Sequence, residues 1–220
     1  MSSVGGGRWC LMLLSDKFVS HAYIPSPSVS TLRSSLPKSP SRKISVHNLE
    51  PGDHVCYLFH DIAKQLQTAV SFLVEGLKKG ERCVYIARDH SPELIKQMLS
   101  AGGIRPEEHC DKGNLSILMT SNTYLQNGIF LPKNMMVKLR QLASEANPEG
   151  APPVRIAGEM NWVFDTPVHP SEVVDYELRA DCFFLTHHPR MIGLCQYDAR
   201  RIPAAMSLGM HLSHRLFIQD

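Results

Sequence analysis

The feature that most constrains the fold is an alternation of strand-like and helix-like segments from His47 to the C-terminus. Short runs rich in β-branched and aromatic residues alternate with longer segments whose apolar residues recur at helical spacing. Five such units in succession predict an α/β fold of three layers, with a mostly parallel sheet and helices on both faces. The predicted strands are 54–59, 82–87, 115–119, 154–157 and 191–197; the predicted helices are 62–79, 92–101, one from Pro132, 170–186, and one from Pro203 to about His214.

The segment before this alternation has a different composition. Residues 1–46 are rich in Ser and Pro, and Asp16 is their only acidic residue. Such a segment buries too little apolar surface to offset its chain entropy. We therefore expect a disordered basic tail over 1–46 and a globular domain over 47–220.

Charge and cysteine usage narrow the class of protein. The formal net charge is +2, and the part after the tail is net acidic, which argues against direct contact with nucleic acid. The longest apolar run near the start, Cys10 to Leu14, is too short for a membrane span or a signal-peptide core. The six cysteines form no C-x-x-C pair. We expect a cytoplasmic protein with no membrane association.

The connection after the first predicted strand lacks a nucleotide-binding loop. A P-loop needs glycines that let backbone N–H groups approach phosphates, followed by Lys and Ser/Thr. Here the connection is Leu58-Phe59-His60-Asp61, and the third predicted strand is followed by Thr120 and not by an acidic residue for Mg²⁺. Motifs of hydrolases, zinc peptidases and dinucleotide-binding folds are also absent from the sequence. The sequence predicts a protein that is not an enzyme and needs no cofactor.

Several ordered segments together resemble the MEDS family of sensory domains, from about His47 to the C-terminus. They are GDHVCYLFHD, AVSFLVEGLKKGERCVYIA, VRIAGEMNW, DYE and LCQYDARRIPAA. The run FLVEGLKKGERCVYIA is also similar to the helix and strand that follow the P-loop in KaiC-like ATPases. The resemblance implies a RecA-like core, that is, a degenerate P-loop NTPase fold without Walker motifs. It also implies a non-catalytic domain that binds a hydrocarbon-like or other small organic effector in signal transduction or transcriptional regulation.

The same resemblance bears on partners. Members of the family often adjoin histidine kinase or DNA-binding modules. Besides the domain, this chain offers only the tail, so we expect a histidine kinase or a transcription regulator to act in trans.

The candidate site follows from the family positions and from the rule that ligands collect outside the carboxyl ends of parallel strands. The resemblance supplies six positions, and Tyr57 is added as an apolar wall. We expect a pocket with apolar walls and a few polar groups that orient the effector. The candidate ligand-binding residues are His54, Cys56, Tyr57, Glu159, Trp162, Cys195 and Tyr197.

Two alternatives stay open beside the organic effector. His54, Cys56 and Cys195 together suit a thiol- or metal-based redox sensor, because imidazole and thiolate are ligands of Zn²⁺ and Fe²⁺; we rank metal below the organic ligand. Glu159 follows an apolar strand directly, where an acid is rarely buried without a partner. It is therefore compatible with a residual nucleotide-binding protein or with an enzyme built around this carboxylate.

Overall fold

The computed structural model of the protein describes residues 44–145, 152–187 and 190–220. The described domain begins at Ile44. Residues 1–43 of the expected disordered tail lie outside the described residues, so that part of the domain assignment stays a prediction.

Six parallel strands form one sheet in the described part of the chain, in the order β3-β2-β6-β7-β1-β8. The strands β4 and β5 form a separate antiparallel hairpin. The strands are β1 (His54–Phe59), β2 (Arg82–Ala87), β3 (Leu115–Met119), β4 (Leu125–Gln126), β5 (Ile129–Phe130), β6 (Val154–Glu159), β7 (Met191–Asp198) and β8 (Leu216–Gln219).

The helices cover both faces of the sheet. They are α1 (Ile62–Lys78), α2 (Pro92–Ala101), α3 (Pro106–Asp111), α4 (Pro132–Glu145), α5 (Pro170–Cys182) and α6 (Ala204–Ser213), and a π-helical turn, Phe183–His187, continues α5. Helices α1 and α2 pack on one face, here called the α1 face, and α4, α5 and α6 pack on the other, here called the α5 face. Because side chains alternate along a strand, each buried strand contributes to both cores. The predicted three-layer α/β fold is confirmed.

The five predicted strands are confirmed, and the differences lie in short elements. Helix α2 begins as predicted, with the Ser91 hydroxyl accepting from the Leu94 N–H at 3.2 Å and Pro92 at its first position. The prediction missed α3, the β4–β5 hairpin and β8, which have six residues or fewer. Elements of this length carry too few residues for a periodic pattern to stand out.

The connection from β1 to α1 is closed by the chain's own carboxylates. The Asp61 carboxylate accepts hydrogen bonds from the N–H groups of Ala63 at 2.7 Å and Lys64 at 3.4 Å. The N–H of His60 donates to Asp220 Oδ1 at 2.8 Å. The N–H groups at a helix start carry partial positive charge and attract anions, so these carboxylates lie where a P-loop would place phosphate.

None of the helices within the described ranges combines the length and the apolar character that crossing a membrane requires.

Candidate functional site

Four buried ionisable side chains meet on the α5 face, and we call them the buried cluster: His54, Glu177, Cys195 and His214. One nitrogen, oxygen or sulfur atom from each lies within 4.8 Å of the corresponding atom of every other. Each of the four residues is at most 7% exposed. Charged groups are rarely buried this deeply unless they are paired, so the cluster is the most unusual chemical feature of this face.

Four separate elements supply the cluster. His54 begins β1, Cys195 lies in the middle of β7, Glu177 lies on α5, and His214 is the residue that ends α6. Gly193, which is paired with His54 in the sheet register, makes room for it. A Cβ atom at Gly193 would lie 2.8 Å from Phe184 Cζ and 3.1 Å from His54 Cδ2, so a larger residue would displace these rings.

The facing atoms of the cluster are close but do not form short hydrogen bonds. His54 Nε2 lies 3.4 Å from both Cys195 Sγ and Glu177 Oε2. Cys195 Sγ and His214 Nε2 each lie 3.6 Å from the same Glu177 oxygen. Charge-assisted N–H···O bonds are normally about 2.7–2.9 Å long, so both histidine nitrogens stand farther from Glu177 Oε2 than in such a bond. The two contacts of the Cys195 sulfur have the length of thiol hydrogen bonds.

Hydrogen bonds outside the cluster orient its side chains. His54 Nδ1 lies 3.3 Å from the Ser213 carbonyl, and His214 Nδ1 lies 3.2 Å from the Met210 carbonyl and 3.0 Å from the Ser213 hydroxyl. In each ring Nε2 is therefore the nitrogen that faces the cluster. The Tyr197 hydroxyl donates to Glu177 Oε1, which leaves Oε2 toward the cluster.

Burial and neighbouring charges divide the protonation states. Burial raises the pKa of the Cys195 thiol to about 11, and the adjacent Glu177 carboxylate acts in the same direction. Burial and His54 lower the pKa of His214 to about 4. Burial opposes ionisation of Glu177, but the two histidines and Tyr197 outweigh it and lower its pKa. Burial likewise opposes protonation of His54, whereas Cys195, Asp181 and Glu177 raise its pKa overall. These shifts favour a charged pair of Glu177 and His54 beside a neutral Cys195 thiol and a neutral His214.

Cys56 lies next to the cluster but is not part of it. It is paired with Cys195 in the sheet register and is fully buried. Burial raises its pKa well above the ordinary thiol value, with Cys195 and Glu177 adding to the shift. The thiolate is the reactive form of cysteine, so neither Cys56 nor Cys195 has the character of a reactive thiol.

Glu159 belongs to a different cluster, on the α1 face. Its Oε1 accepts from the Tyr85 hydroxyl and lies 2.6 Å from His90 Nδ1, while its Oε2 accepts from the N–H groups of Arg88 and Asp89. Burial opposes the charged form, but the bonds from His90, Tyr85 and the backbone lower the pKa of Glu159 overall. With four partners, this carboxylate anchors the segment between β2 and α2.

The seven candidate residues therefore do not form one pocket. Three of them, His54, Cys195 and Tyr197, come together around Glu177. Cys56 and Trp162 lie on the same face, and Trp162 stacks on Tyr124 in the core.

Tyr57 and Glu159 lie on the opposite, α1 face. Sequence reasoning missed Glu177 and His214. Glu177 stands in the DYE segment, so a signal for it was present; His214 carried no signal beyond its place at a helix end.

A cavity of about 370 Å³ opens at the carboxyl ends of β6 and β7, on the α5 face. Its lining is mostly apolar, and the Arg201 guanidinium is its charged group. Phe164 in this lining packs edge-on against Tyr197, with ring centroids 6.4 Å apart, so Tyr197 lies between the cavity and the buried cluster. The lining residues are Val163, Phe164, Val168, Pro170, Val173, Arg201, Pro203 and Met206.

Comparison with known proteins places these features in a family. The sequence profile of the MEDS family matches residues 53–215. The name MEDS stands for the sensory domain of methanogen and methylotroph proteins and of DcmR. The transcriptional repressor DcmR of Methylorubrum extorquens is 28% identical over 151 residues, which are 67% of this chain and 52% of the repressor. The chain thus spans about half the length of that relative.

A solved structure supports the fold. The crystal structure of a KaiC-like protein from the hyperthermophilic archaeon Pyrococcus horikoshii OT3 matches with a TM-score of 0.57 and 11% sequence identity. The match covers 82% of this chain and 81% of that one, and it confirms the predicted RecA-like fold. Since the family profile covers most of the domain, the chain belongs to the MEDS family of sensory domains.

Proposed function

We propose that this chain is a non-catalytic sensory domain that binds a small, apolar organic effector in the cavity at the carboxyl ends of β6 and β7. The observation that carries the proposal is the position of this cavity. Parallel α/β folds bind ligands at this edge of the sheet, and family membership makes ligand sensing the expected role. As in the repressor relative, the readout is a change in transcription, here passed to a regulator or histidine kinase partner.

The chemistry of the cavity favours an uncharged effector. Its walls are apolar side chains, and its volume suits a small molecule. The charge of Arg201 is already compensated, because its guanidinium pairs with Asp165, and the other partner of Asp165, Arg88 at 2.7 Å, also lies 3.9 Å from Asp89, so two carboxylates face two guanidinium groups. The hydrogen bonds from Arg201 and Arg88 lower the pKa of Asp165 to about 2, so this compensation holds at every physiological pH.

The structure gives less support to the nucleotide-binding alternative. Asp61 caps α1, and Asp220 accepts from the His60 N–H, so two carboxylates meet any phosphate that approaches the start of α1. Glu159, the other residue considered for chemistry, has its oxygens engaged by four donors. Equilibrium binding of labelled ATP tests this alternative, and saturable binding at millimolar nucleotide would revive it.

The thiol-sensor alternative is disfavoured by the burial of Cys56 and Cys195 and by their raised pKa values. Iodoacetamide labelling of the folded protein at neutral pH tests it. We expect both thiols to react much more slowly than in the unfolded chain.

The effector is tested with the full chain and a panel of one-carbon and short-chain alcohols, aldehydes and haloalkanes, measured by calorimetry. We expect at least one neutral compound to bind saturably. Val168→Trp places a large ring in the lining and should abolish that binding. Ile129→Trp, an equal change at a 61% exposed position on the β4–β5 hairpin, should leave it unchanged. Equal binding by both variants would exclude this cavity as the site.

A further inference from the structure

We propose that His54, Glu177, Cys195 and His214 bind one divalent first-row metal ion, and that zinc is the ion this donor set suits best. The inference is separate from the effector proposal, because it rests on the buried cluster and not on the cavity.

Four of the six spacings between donor atoms match those of a tetrahedral site. With bonds of about 2.0–2.3 Å, the ligand atoms of such a site lie about 3.3–3.8 Å apart. Four of the donor pairs in the cluster are separated by 3.4, 3.4, 3.6 and 3.6 Å, and the others lie within 4.8 Å. The two histidine–carboxylate distances are too long for good hydrogen bonds, and all four distances suit ligands around one ion.

The orientation of the ligands supports the same conclusion. Metal-binding histidines usually donate their second ring N–H to a carbonyl or carboxylate, which fixes the ring. Both histidines here have Nδ1 next to a backbone carbonyl near the end of α6 and Nε2 toward the cluster. Among the described residues, His214 Nε2 is a buried polar atom without a hydrogen-bond partner, which a metal bond would satisfy.

Charge and donor chemistry select the ion. Two neutral imidazoles, one carboxylate and one thiolate carry two negative charges, which a divalent cation neutralises inside a dry core. Cys195 binds as the thiolate and both histidines bind as neutral imidazoles, so binding releases the protons that these ligand atoms carry. Mixed nitrogen and sulfur donors in tetrahedral arrangement favour zinc, whereas Mg²⁺ and Ca²⁺ prefer oxygen donors.

Four protein ligands leave no open position, which is typical of a structural site. The ion would fasten α5 and the end of α6 to β1 and β7. The same two helices provide Val173 and Met206 to the cavity, so the metal would fix the distance between two of its walls.

The test uses the full chain, metal-stripped with a chelator and then titrated with Zn²⁺ or Co²⁺ alone. We expect one ion per folded chain. Cobalt should give the intense visible bands of tetrahedral coordination and a near-ultraviolet thiolate-to-cobalt band. X-ray absorption of the zinc form should show one sulfur and three nitrogen or oxygen neighbours. The proposal would be overturned by a folded chain that binds neither ion stoichiometrically. It would also be overturned by an X-ray absorption spectrum in which zinc has no sulfur neighbour or has four sulfur neighbours.

Paired variants identify the ligands. Cys195→Ala should abolish the thiolate band, whereas Cys56→Ala, the same change at the register partner, should keep it. His214→Gln should lower affinity by more than the roughly 10–100-fold cost of losing an outer hydrogen-bond partner. His211→Gln, on the exposed side of α6, should leave affinity unchanged.

A thiolate band that persists in folded Cys195→Ala would contradict the assignment. If either ligand variant fails to fold, the wild type and the two control variants decide: a one-sulfur site in all three supports the proposal, and its absence from the wild type overturns it. The metal titration contains no effector, so a chain that binds no metal would not count against the effector proposal. Likewise, a calorimetric screen that finds no effector would not count against the metal site.

Discussion

The imidazole rings of His54 and His214 stack with their centroids 4.2 Å apart and their planes inclined by 29°, although one residue opens the first strand and the other follows the last helix. Two imidazolium ions in such contact would repel each other. The pKa of His54 is raised and the pKa of His214 is lowered, so His54 is the ring of the pair that holds a second proton more readily.

Metal binding should raise thermal stability. Zinc that binds only the folded state at a free concentration about a hundredfold above Kd contributes about 2.7 kcal/mol. For a domain of this size that is a rise of roughly 5–10 °C in Tm, measured by differential scanning calorimetry of the metal-stripped chain with and without Zn²⁺. Mg²⁺ at the same concentration serves as the control and should leave Tm unchanged. An equal shift with both ions would show a non-specific effect.

Tyr197→Phe should destabilise the domain more than Tyr57→Phe. Tyr197 donates to a fully buried carboxylate, and hydrogen bonds to charged groups contribute about 1.5–3 kcal/mol to the free energy of unfolding. The Tyr57 hydroxyl makes only long contacts, 3.5 Å to Asp220 and 3.3 Å to Thr68, so its removal should cost less than about 1 kcal/mol. Urea unfolding followed by circular dichroism measures both, and equal costs would contradict this account of Tyr197.

The pair of Glu159 and His90 should make stability depend on pH. The pKa of Glu159 is lowered on folding, so its contribution is complete above its unfolded value of about 4.3 and is lost as pH falls through the folded value. The hydrogen bond from His90 to Glu159 raises the pKa of His90 on folding, so that contribution is complete below about 6.5 and is lost as pH rises through the folded value.

Glu159→Gln should therefore cost most between about pH 4.3 and 6.5, by about 3–5 kcal/mol, as expected for breaking a buried ion pair. The difference from wild type should shrink on either side of that window, as followed by urea unfolding at a series of pH values. Glu107→Gln removes an exposed partner of Lys96 and should cost less than about 1 kcal/mol. A difference between wild type and Glu159→Gln that stays constant with pH would show that the pair does not titrate as described.

Asp61→Ala should lower the free energy of unfolding by about 1 kcal/mol, because two N–H groups at the start of α1 lose their acceptor. Asp61→Asn keeps a capping oxygen and should change it by only a few tenths. Millimolar inorganic phosphate should leave the unfolding midpoint of the wild type unchanged. A phosphate-dependent rise in the wild type would show that the carboxylate does not hold this position.

The fold was predictable because periodicity is local, and helix signals such as Ser91 and Pro92 act within one turn. The buried cluster was predictable only in part. Two of its four residues, His54 and Cys195, lie on strands that the sequence identified. Glu177 and His214 join them only through the packing of α5 and α6, which no local pattern specifies.

The two-residue repeat of a strand carried information that the site prediction left unused. Tyr57 follows Cys56 by one residue and so must face the opposite side of the sheet. For Glu159 the sequence indicated that a buried acid needs a partner. It did not indicate that His90 and the backbone after β2 would supply one, because that contact joins neighbouring strands that are far apart in the chain.

The carboxylate that caps α1 has a consequence for how the domain can be driven. The Asp61 carboxylate belongs to the same chain as the N–H groups that it binds, so its effective concentration there is high and constant. A phosphate group in solution would have to displace it from these N–H groups. In the proposed function, a change of state in this domain uses no nucleotide hydrolysis. It is then an equilibrium set by the concentration of the effector, and it reverses when that concentration drops.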